Sequence, residues 1–492
     1  MSDLKETPKN PKDLIYQLEG RPPLSVAFPI GMQHILAMFI SNLAPVLVLA
    51  GVVSTITGNF IITPEQRTLM IQSSMLASGL STMLQLYPVR IANVQIGAGL
   101  PIVMGTSSGF IPSLTIIGAE HGLSVILGSV IVACFLEVII ALNIKHVKKL
   151  FPPVVIGSVL MSFGLFLMPI GVRNFAGGTA AENAFRLQAD LIARGQEVPA
   201  HVAAMASQFA SWQNLLMGSI VLLTIILIRR FAKGTFKVSA MFIGIVVGYI
   251  TAIILGQINF APIAEAGIIA FPMPLRVMPE FYIIPILSLL IMFVVTTIET
   301  IGDTNGITIG VFDREATAKE TQGALLADAA GTLIAAFFST LPNTSYGQNT
   351  GIVATTKAVN KFCVFVGASV LVLAGLSPKI GTFFSIMPAS VLGGAVITVF
   401  AVIMINGVKM IARAGFSERN ILILAITFGV GYSISVNSLL VNNLPAALNF
   451  IFRNPIIAVC AISMLLNLLF PPTAEDKAKA TEIAKSDNNP KT

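Results

Sequence analysis

Glu299 and Asp303 stand four residues apart in the run Thr297-Ile298-Glu299-Thr300-Ile301-Gly302-Asp303. On a helix that spacing puts both carboxyls on one face. The surrounding run is apolar, and within a bilayer an Asp, Lys or Arg at mid-helix costs roughly 2.5–3.5 kcal/mol, so each such residue needs a reason. Two neighbouring carboxyls in a low-dielectric setting do not both ionise comfortably. The pair is suited to taking up a proton, or to accepting hydrogen bonds from the N–H groups of a ligand. The alternative is that the apolar run ends here and the acids, Asp303 above all, are simply solvated at the end of a span.

Four further positions carry polar chemistry into apolar surroundings. Gln348 and Asn349 follow Gly347 beside a Gly-, Ser- and Thr-rich break. A side-chain amide offers donors and an acceptor together, which suits a heterocycle with alternating N–H and C=O groups, and the Gly-flanked backbone exposes its own polar groups. As an alternative, the two amides cap a short helix. His34, after Gly31-Met32-Gln33, is either a hydrogen-bonded packing residue or a proton carrier. Asp328, in Leu325-Leu326-Ala327-Asp328-Ala329-Ala330, is placed to bridge helices. Glu137 sits in a featureless run, Cys134-Phe135-Leu136-Glu137-Val138, and takes no role from the sequence.

Other chemistries lack their residues. There is no Gly-x-x-x-x-Gly-Lys-Ser/Thr phosphate loop for ATP and no His-Glu-x-x-His zinc motif. Cys134, Cys363 and Cys460 lie in apolar runs without Cys-x-x-Cys spacing and read as packing residues. Four scattered histidines make no metal cluster. The expectation is a non-enzyme with no cofactor and no metal.

The elements that must position these residues are membrane spans. The 492 residues are 55% hydrophobic and 11% charged, with a mean hydropathy of +0.85. A soluble domain is about 25% charged, so this chain cannot clothe a water-facing surface of its size. Apolar segments of span length lie near 27–53, 69–88, 99–117, 123–144, 150–170, 214–228, 238–256, 281–302, 323–340, 342–356, 361–377, 380–407, 420–436 and 455–471, fourteen in all. The third, with Leu100-Pro101 and Gly105-Thr106-Ser107-Ser108-Gly109-Phe110, and the tenth, with Leu341-Pro342 and Thr344-Ser345-Tyr346-Gly347, are too broken for plain helices. Irregular backbone at membrane depth is tolerated only inside protein or along a cavity, so these two segments point to a binding site. The first 20 residues are polar, without the apolar stretch of a cleaved signal, and the first span is expected to serve as the insertion signal.

With the N-terminus in the cytoplasm and every segment crossing, 23 of the 30 Lys and Arg fall inside and 7 outside. This bias is the positive-inside pattern, which also accounts for the net charge of +7 without nucleic acid. Both termini are then cytoplasmic and the longest loop, 172–212, is outside. Phe151-Pro152-Pro153-Val154-Val155-Ile156-Gly157 resembles Met387-Pro388-Ala389-Ser390-Val391-Leu392-Gly393, and Pro101 matches Pro342 at a similar offset. These pairs place segment 3 against 10 and segment 5 against 12. A repeat of seven spans inverts its second copy, a plan of secondary transporters with the site between the breaks.

Gln348-Asn349-Thr350-Gly351-Ile352-Val353-Ala354-Thr355-Thr356-Lys357 meets every defined position of the signature of the nucleobase–ascorbate transporter family, and the chain resembles that family also at Gln33-His34, Gly105-Thr106-Ser107, Glu299 to Asp303, and Asp328. The resemblance runs over nearly the whole chain. It implies an all-α integral membrane protein of fourteen segments in two inverted seven-span repeats, with short facing strands in segments 3 and 10. A core domain, 25–145 and 280–378, would hold the substrate. A gate domain, 146–258 and 379–471, would mediate homodimerisation. Cytoplasmic tails, 1–24 and 472–492, flank them. The resemblance implies Glu299 and Gln348 as ligands of the base, and His34, Asp303, Asp328 and Asn349 as residues of coupling or support. Where purine carriers of the family often have an aromatic residue and then a polar one, this chain has Ser108-Gly109, with Phe110 next as a replacement ring. Ser108, Gly109, Phe110 and Gly347 complete the expected pocket.

The expected function is import of a purine nucleobase, xanthine, urate or similar, by proton symport through alternating access in the bacterial inner membrane, with sodium as the alternative coupling ion. The partners are the small-molecule base, membrane lipid and a second copy of the chain. The rivals are a uracil or small-anion carrier of the same fold and, further away, a channel or an intramembrane enzyme.

Overall fold

The computed structural model describes residues 11–51, 62–92, 94–143 and 152–472. Residues 1–10 of the expected N-terminal tail, nearly all of the C-terminal tail, the basic residues Lys145, Lys148 and Lys149, and Phe151 of the repeated motif lie outside the described residues. The structure is built of helices: α1 (Leu24–Ala50), α2 (Pro64–Leu86), α3 (Ile111–Leu142), α4 (Pro153–Phe175), α5 (Thr179–Ala193), α6 (Ala200–Ala206), α7 (Trp212–Phe231), α8 (Ala240–Ile254), α9 (Ile283–Phe312), α10 (Ala318–Phe337), α11 (Gly347–Thr356), α12 (Lys361–Gly375), α13 (Pro378–Ser385), α14 (Ala389–Ala414), α15 (Glu418–Ile426) and α16 (Pro455–Leu469). Four short strands interrupt them: β1 (Val89–Ile91), β2 (Val94–Ile96), β3 (Met104–Thr106) and β4 (Asn343–Ser345). Among the described residues seven helices are long and apolar enough to cross a membrane, or eight if the bent pair α12 and α13 forms one span.

Local chemistry sets the helix starts. α2 opens on a capping box, Thr63 with Gln66 and Pro64 in the first turn, and α10 opens on another, Thr317 with Glu320. α4 and α14 start directly after Pro152 and Pro388. Segments 3 and 4 share one helical stretch, α3, which breaks at Gly122 with φ 81° and ψ −175°, a conformation open to glycine.

Three expectations need correction. The eighth span does not end at 302 but runs on to Phe312, so Glu299 and Asp303 lie inside a continuous helix and not at its end. The twelfth does not start at 380: Pro378–Ser385 is the separate helix α13, bent 83° from α12, and the span itself is α14. α13 lies on α2, for a Cβ added to Gly381 would stand 2.7 Å from Gln72 and 3.2 Å from the Thr68 carbonyl. The stretch 172–212 is not a plain loop, because it carries α5 and α6.

The helices pack as two sets. In the first, α12 lies against α1 and α2, and α3 lies against α9 and α10. In the second, α14 packs on α4 and α7, α8 on α7, and α16 on α4. The α4–α14 pair is the closest in backbone terms. A Cβ added to Gly157 would lie 2.9 Å from the Gly407 carbonyl, one on Gly164 2.6 Å from the Met404 nitrogen, and one on Gly393 2.1 Å from the Phe175 nitrogen. The start of each helix therefore meets the end of the other, and glycine is what lets the backbones approach so closely. Gly157 and Gly393 are the last residues of the repeated motif, one at each end of this antiparallel pair.

At the centre of the first set β3 and β4 pair antiparallel, Met104 with Ser345, Gly105 with Thr344 and Thr106 with Asn343. Ser107 N–H to the Pro342 carbonyl (2.9 Å) and Tyr346 N–H to the Val103 carbonyl (3.0 Å) extend the ladder at both ends. The first residue of each strand is held in the same way: Met104 N–H donates to Thr82 Oγ1 (3.0 Å), and Asn343 N–H donates to Thr332 Oγ1 (3.2 Å). Two interrupted segments thus satisfy each other's backbone while buried inside the protein.

Candidate functional site

A cavity of about 390 Å³ lies between the two sets of helices. One wall is polar and comes from the broken segments and α9: Ser107, Ser108 and Gly109, then Glu299, then Gly347 and Gln348. The other wall is mostly apolar and comes from α4 and α14, with Leu160, Phe163, Leu167, Val399, Val402 and Ile403. Arg229 and Lys237 add positive charge to the lining. A flat heterocycle fits this division, with its polar edge toward one wall and its faces against hydrocarbon.

Five of the expected pocket residues, Glu299, Gln348, Ser108, Gly109 and Gly347, line this cavity. Phe110 does not. It is fully buried and packs on Phe293, ring centroids 4.8 Å apart, so it is a core residue and not a replacement stacking ring. The turn Ser108–Phe110 is a short 3₁₀ helix, which directs Ser108 and Gly109 to the cavity and Phe110 away from it. The aromatic ring beside Ser108-Gly109 is Phe163, across the seam: a Cβ added to Gly109 would meet it at 3.0 Å. Tyr346 supplies a second ring to the lining. Its hydroxyl donates to the Thr106 carbonyl at 2.7 Å, and its ring lies where any Cβ on Gly105 would fall, 2.2 Å away.

The other expected residues stand behind the polar wall. His34 and Asn349 are hydrogen-bonded to each other, and Asn349 Nδ2 donates to the Pro101 carbonyl at 2.7 Å. One amide therefore ties α1, α11 and the broken third segment together. Asp303 accepts from Ser345 Oγ at 2.8 Å and abuts Gly347, where an added Cβ would stand 3.0 Å from its Oδ1. Asp328 accepts from Thr300, and from Thr344 Oγ1 at 3.3 Å. Each acid is thus fixed to β4, the strand that leads into Gly347 and Gln348.

Sequence reasoning missed Asn42, whose Oδ1 accepts from the Thr106 N–H (2.7 Å) and from Ser78 Oγ (2.8 Å) and so closes the end of β3. An uncharged amide inside the first apolar run was its only signal. Thr82 and Thr332 were missed as well, as was Phe163.

Polar broken segments facing an apolar helix pair across a cavity, in a bundle of membrane-length helices, define an integral membrane transporter. The permease family's model matches residues 26–206 and 195–439. The xanthine permease of Bacillus subtilis is 30% identical, over 92% of this chain and 95% of its own. The uric acid permease PucJ of the same organism is 30% identical, over 92% and 94%, and the xanthine permease XanQ of Escherichia coli 28%, over 93% and 94%. Among solved structures the transmembrane domain of a cyanobacterium bicarbonate transporter, BicA, has the same fold at a TM-score of 0.53 and 14% identity, covering 91% of this chain and 98% of that one. The murine Solute Carrier 26 family member A9 anion transporter, in the inward-facing state, matches at 0.56 and 11%, over 93% and 70%. The chain belongs to the permease family and, within it, to the purine branch of the nucleobase–ascorbate transporters.

Proposed function

We propose that this protein imports a purine nucleobase such as xanthine or urate by proton symport, through alternating access. The observation that carries the reading is the pairing of Glu299 and Gln348 on one wall of the cavity between the two sets of helices. The Glu299 carboxylate accepts from ring N–H groups, and the Gln348 amide both donates and accepts. Phe163 and Tyr346 offer ring contacts, and Arg229 and Lys237 favour a substrate that enters as an anion. The polar wall and the acids behind it belong to the first set, so a shift of that set against α4 and α14 would carry the base with it.

The same reading makes the first set the core domain, 25–145 and 280–378, and the second the gate domain, 146–258 and 379–471, with α13 remaining on the core side. It takes the matched Thr82 and Thr332 anchors and the two-ended glycine packing of α4 on α14 as support for two inverted repeats of seven segments. The family resemblance supports a homodimer formed through the gate domain. The charge bias of the loops supports placement in the bacterial inner membrane with both ends in the cytoplasm. Sodium is the alternative coupling ion.

Uptake of radiolabelled xanthine, urate, uracil and adenine into cells lacking their own carriers, with and without a protonophore, tests this. Purine uptake that collapses with the proton gradient is expected. Uptake of uracil alone, or of no base in cells shown to insert the protein, overturns it, and purine uptake that follows sodium instead overturns the coupling.

A further inference from the structure

Among the described residues Glu137 is the one buried acid the proposed transport mechanism leaves unused. It lies on α3, 1% exposed, beside Thr297 of α9 and within electrostatic range of Asp328 on α10, a helix that packs against α3. Its Oε1 has no hydrogen-bond partner, and neither has Oδ1 of Asp328, itself 1% exposed. Neither carboxyl forms an ion pair with a Lys, Arg or His among the described residues. The groups around Glu137 are few: Asp328 from α10, Thr297 from α9 with Glu299 and Asp303 further along that helix, and Cys134 one turn away on α3. Two buried carboxyls that feel each other's charge with no cation to offset it are not stable as two anions, and each has one oxygen without a hydrogen-bond partner on which a proton can sit.

A path of hydroxyls joins Asp328 of this pair to the cavity. Thr344 and Ser345 both line the cavity. Thr344 Oγ1 donates to Asp328 at 3.3 Å. Ser345 Oγ lies 2.8 Å from Asp303 Oδ2 and 3.2 Å from Thr300 Oγ1, and Thr300 in turn donates to Asp328. We propose that Glu137 and Asp328 form an internal proton-holding site, loaded from the cavity through Thr344, Ser345 and Thr300. Each hydroxyl passes one proton inward and takes one from the cavity side, so no hydroxyl changes charge, and the carboxyl pair gains one proton. Return of that proton by the same path empties the site. The assignment rests on the proton-symport reading above and adds to it a holding residue one helix further from the substrate.

Purified protein in liposomes, with a proton gradient imposed, separates the two claims. If the wild type exchanges xanthine but does not accumulate it with the gradient, the symport reading fails whatever Glu137 does. If the wild type does accumulate it, Glu137→Gln is expected to retain xanthine exchange and lose gradient-driven accumulation. The wild type should also show a carboxylic-acid C=O infrared band that changes with pH or on xanthine binding, and Glu137→Gln should lack it. Should Glu137→Gln fail to insert, Glu137→Asp keeps the acid at a shorter reach and is expected to move both the band and the pH profile of uptake. Unchanged accumulation in Glu137→Gln, or an infrared band and pH profile the same in wild type and variant, overturns the proposal.

Discussion

Between Leu100 and Ser108, and again between Leu341 and Gly347, the chain follows the same course. A Leu-Pro step leads into a three-residue strand whose first N–H is held by a threonine from a neighbouring helix, and the strand then passes into a new helical turn at the cavity. Beyond that point the two differ. The tenth segment presents Gly347 and Gln348 to the cavity and anchors Asp303 and Asp328 through Ser345 and Thr344. The third presents only hydroxyls and a glycine, Ser107, Ser108 and Gly109, and the glycine leaves space for Phe163. One backbone plan thus presents an amide and hydrogen-bonded acids in one segment, and hydroxyls and a glycine in the other. A mirrored scaffold does not require mirrored chemistry.

The comparison breaks most readily at the chemistry. Glu299→Gln removes the charge and the titratable proton beside the tenth segment while keeping one acceptor oxygen, and purine accumulation should be lost altogether in an uptake assay; full accumulation would show that the carboxylate is dispensable. Gln348→Ala should weaken binding by about 1–3 kcal/mol, roughly 5- to 150-fold in affinity. Ser108→Ala, its counterpart, should cost no more than about 0.5–1 kcal/mol. Equal losses in a binding titration would mean that both segments recognise the substrate.

The shared scaffold gives the next test. Thr82→Val and Thr332→Val each strand one buried strand N–H, at about 1–2 kcal/mol apiece. Their effects on thermal unfolding in detergent should match, and a clear inequality would sink the equivalence of the two copies. The smallest effect belongs to fit: Gly109→Ala places a methyl against the Phe163 ring and should weaken xanthine binding by about 1 kcal/mol, since a ring at a seam can tilt. Adding Phe163→Leu should restore it, and a strictly additive double variant would deny the contact.

Much of this was legible in the sequence because its causes are local. Broken segments betray themselves by Gly, Pro, Ser and Thr in apolar surroundings, and an acid such as Glu299 in such a run stands out by its cost. The antiparallel pairing of Met104 with Ser345 brings together the strands that the repeat offset had matched. What stayed hidden depends on contacts between distant parts of the chain. Nothing in the composition near residue 302 says that α9 continues to Phe312. Thr82 and Thr332 look like any helix hydroxyl until a strand arrives beside them. Phe110 and Phe163 are both aromatic residues in apolar runs, and only the 3₁₀ turn at Ser108 and the packing across the seam decide which ring turns to the cavity.

The glycine contacts of α4 on α14 bear on mechanics. Side-chain layers between helices yield when pushed, because rotamers can change. Where Gly157, Gly164 and Gly393 bring one backbone directly onto the other, no such cushion exists. On the alternating-access proposal the pair moves as one stiff piece, and the sliding surface falls at the boundary where Phe163 meets Gly109.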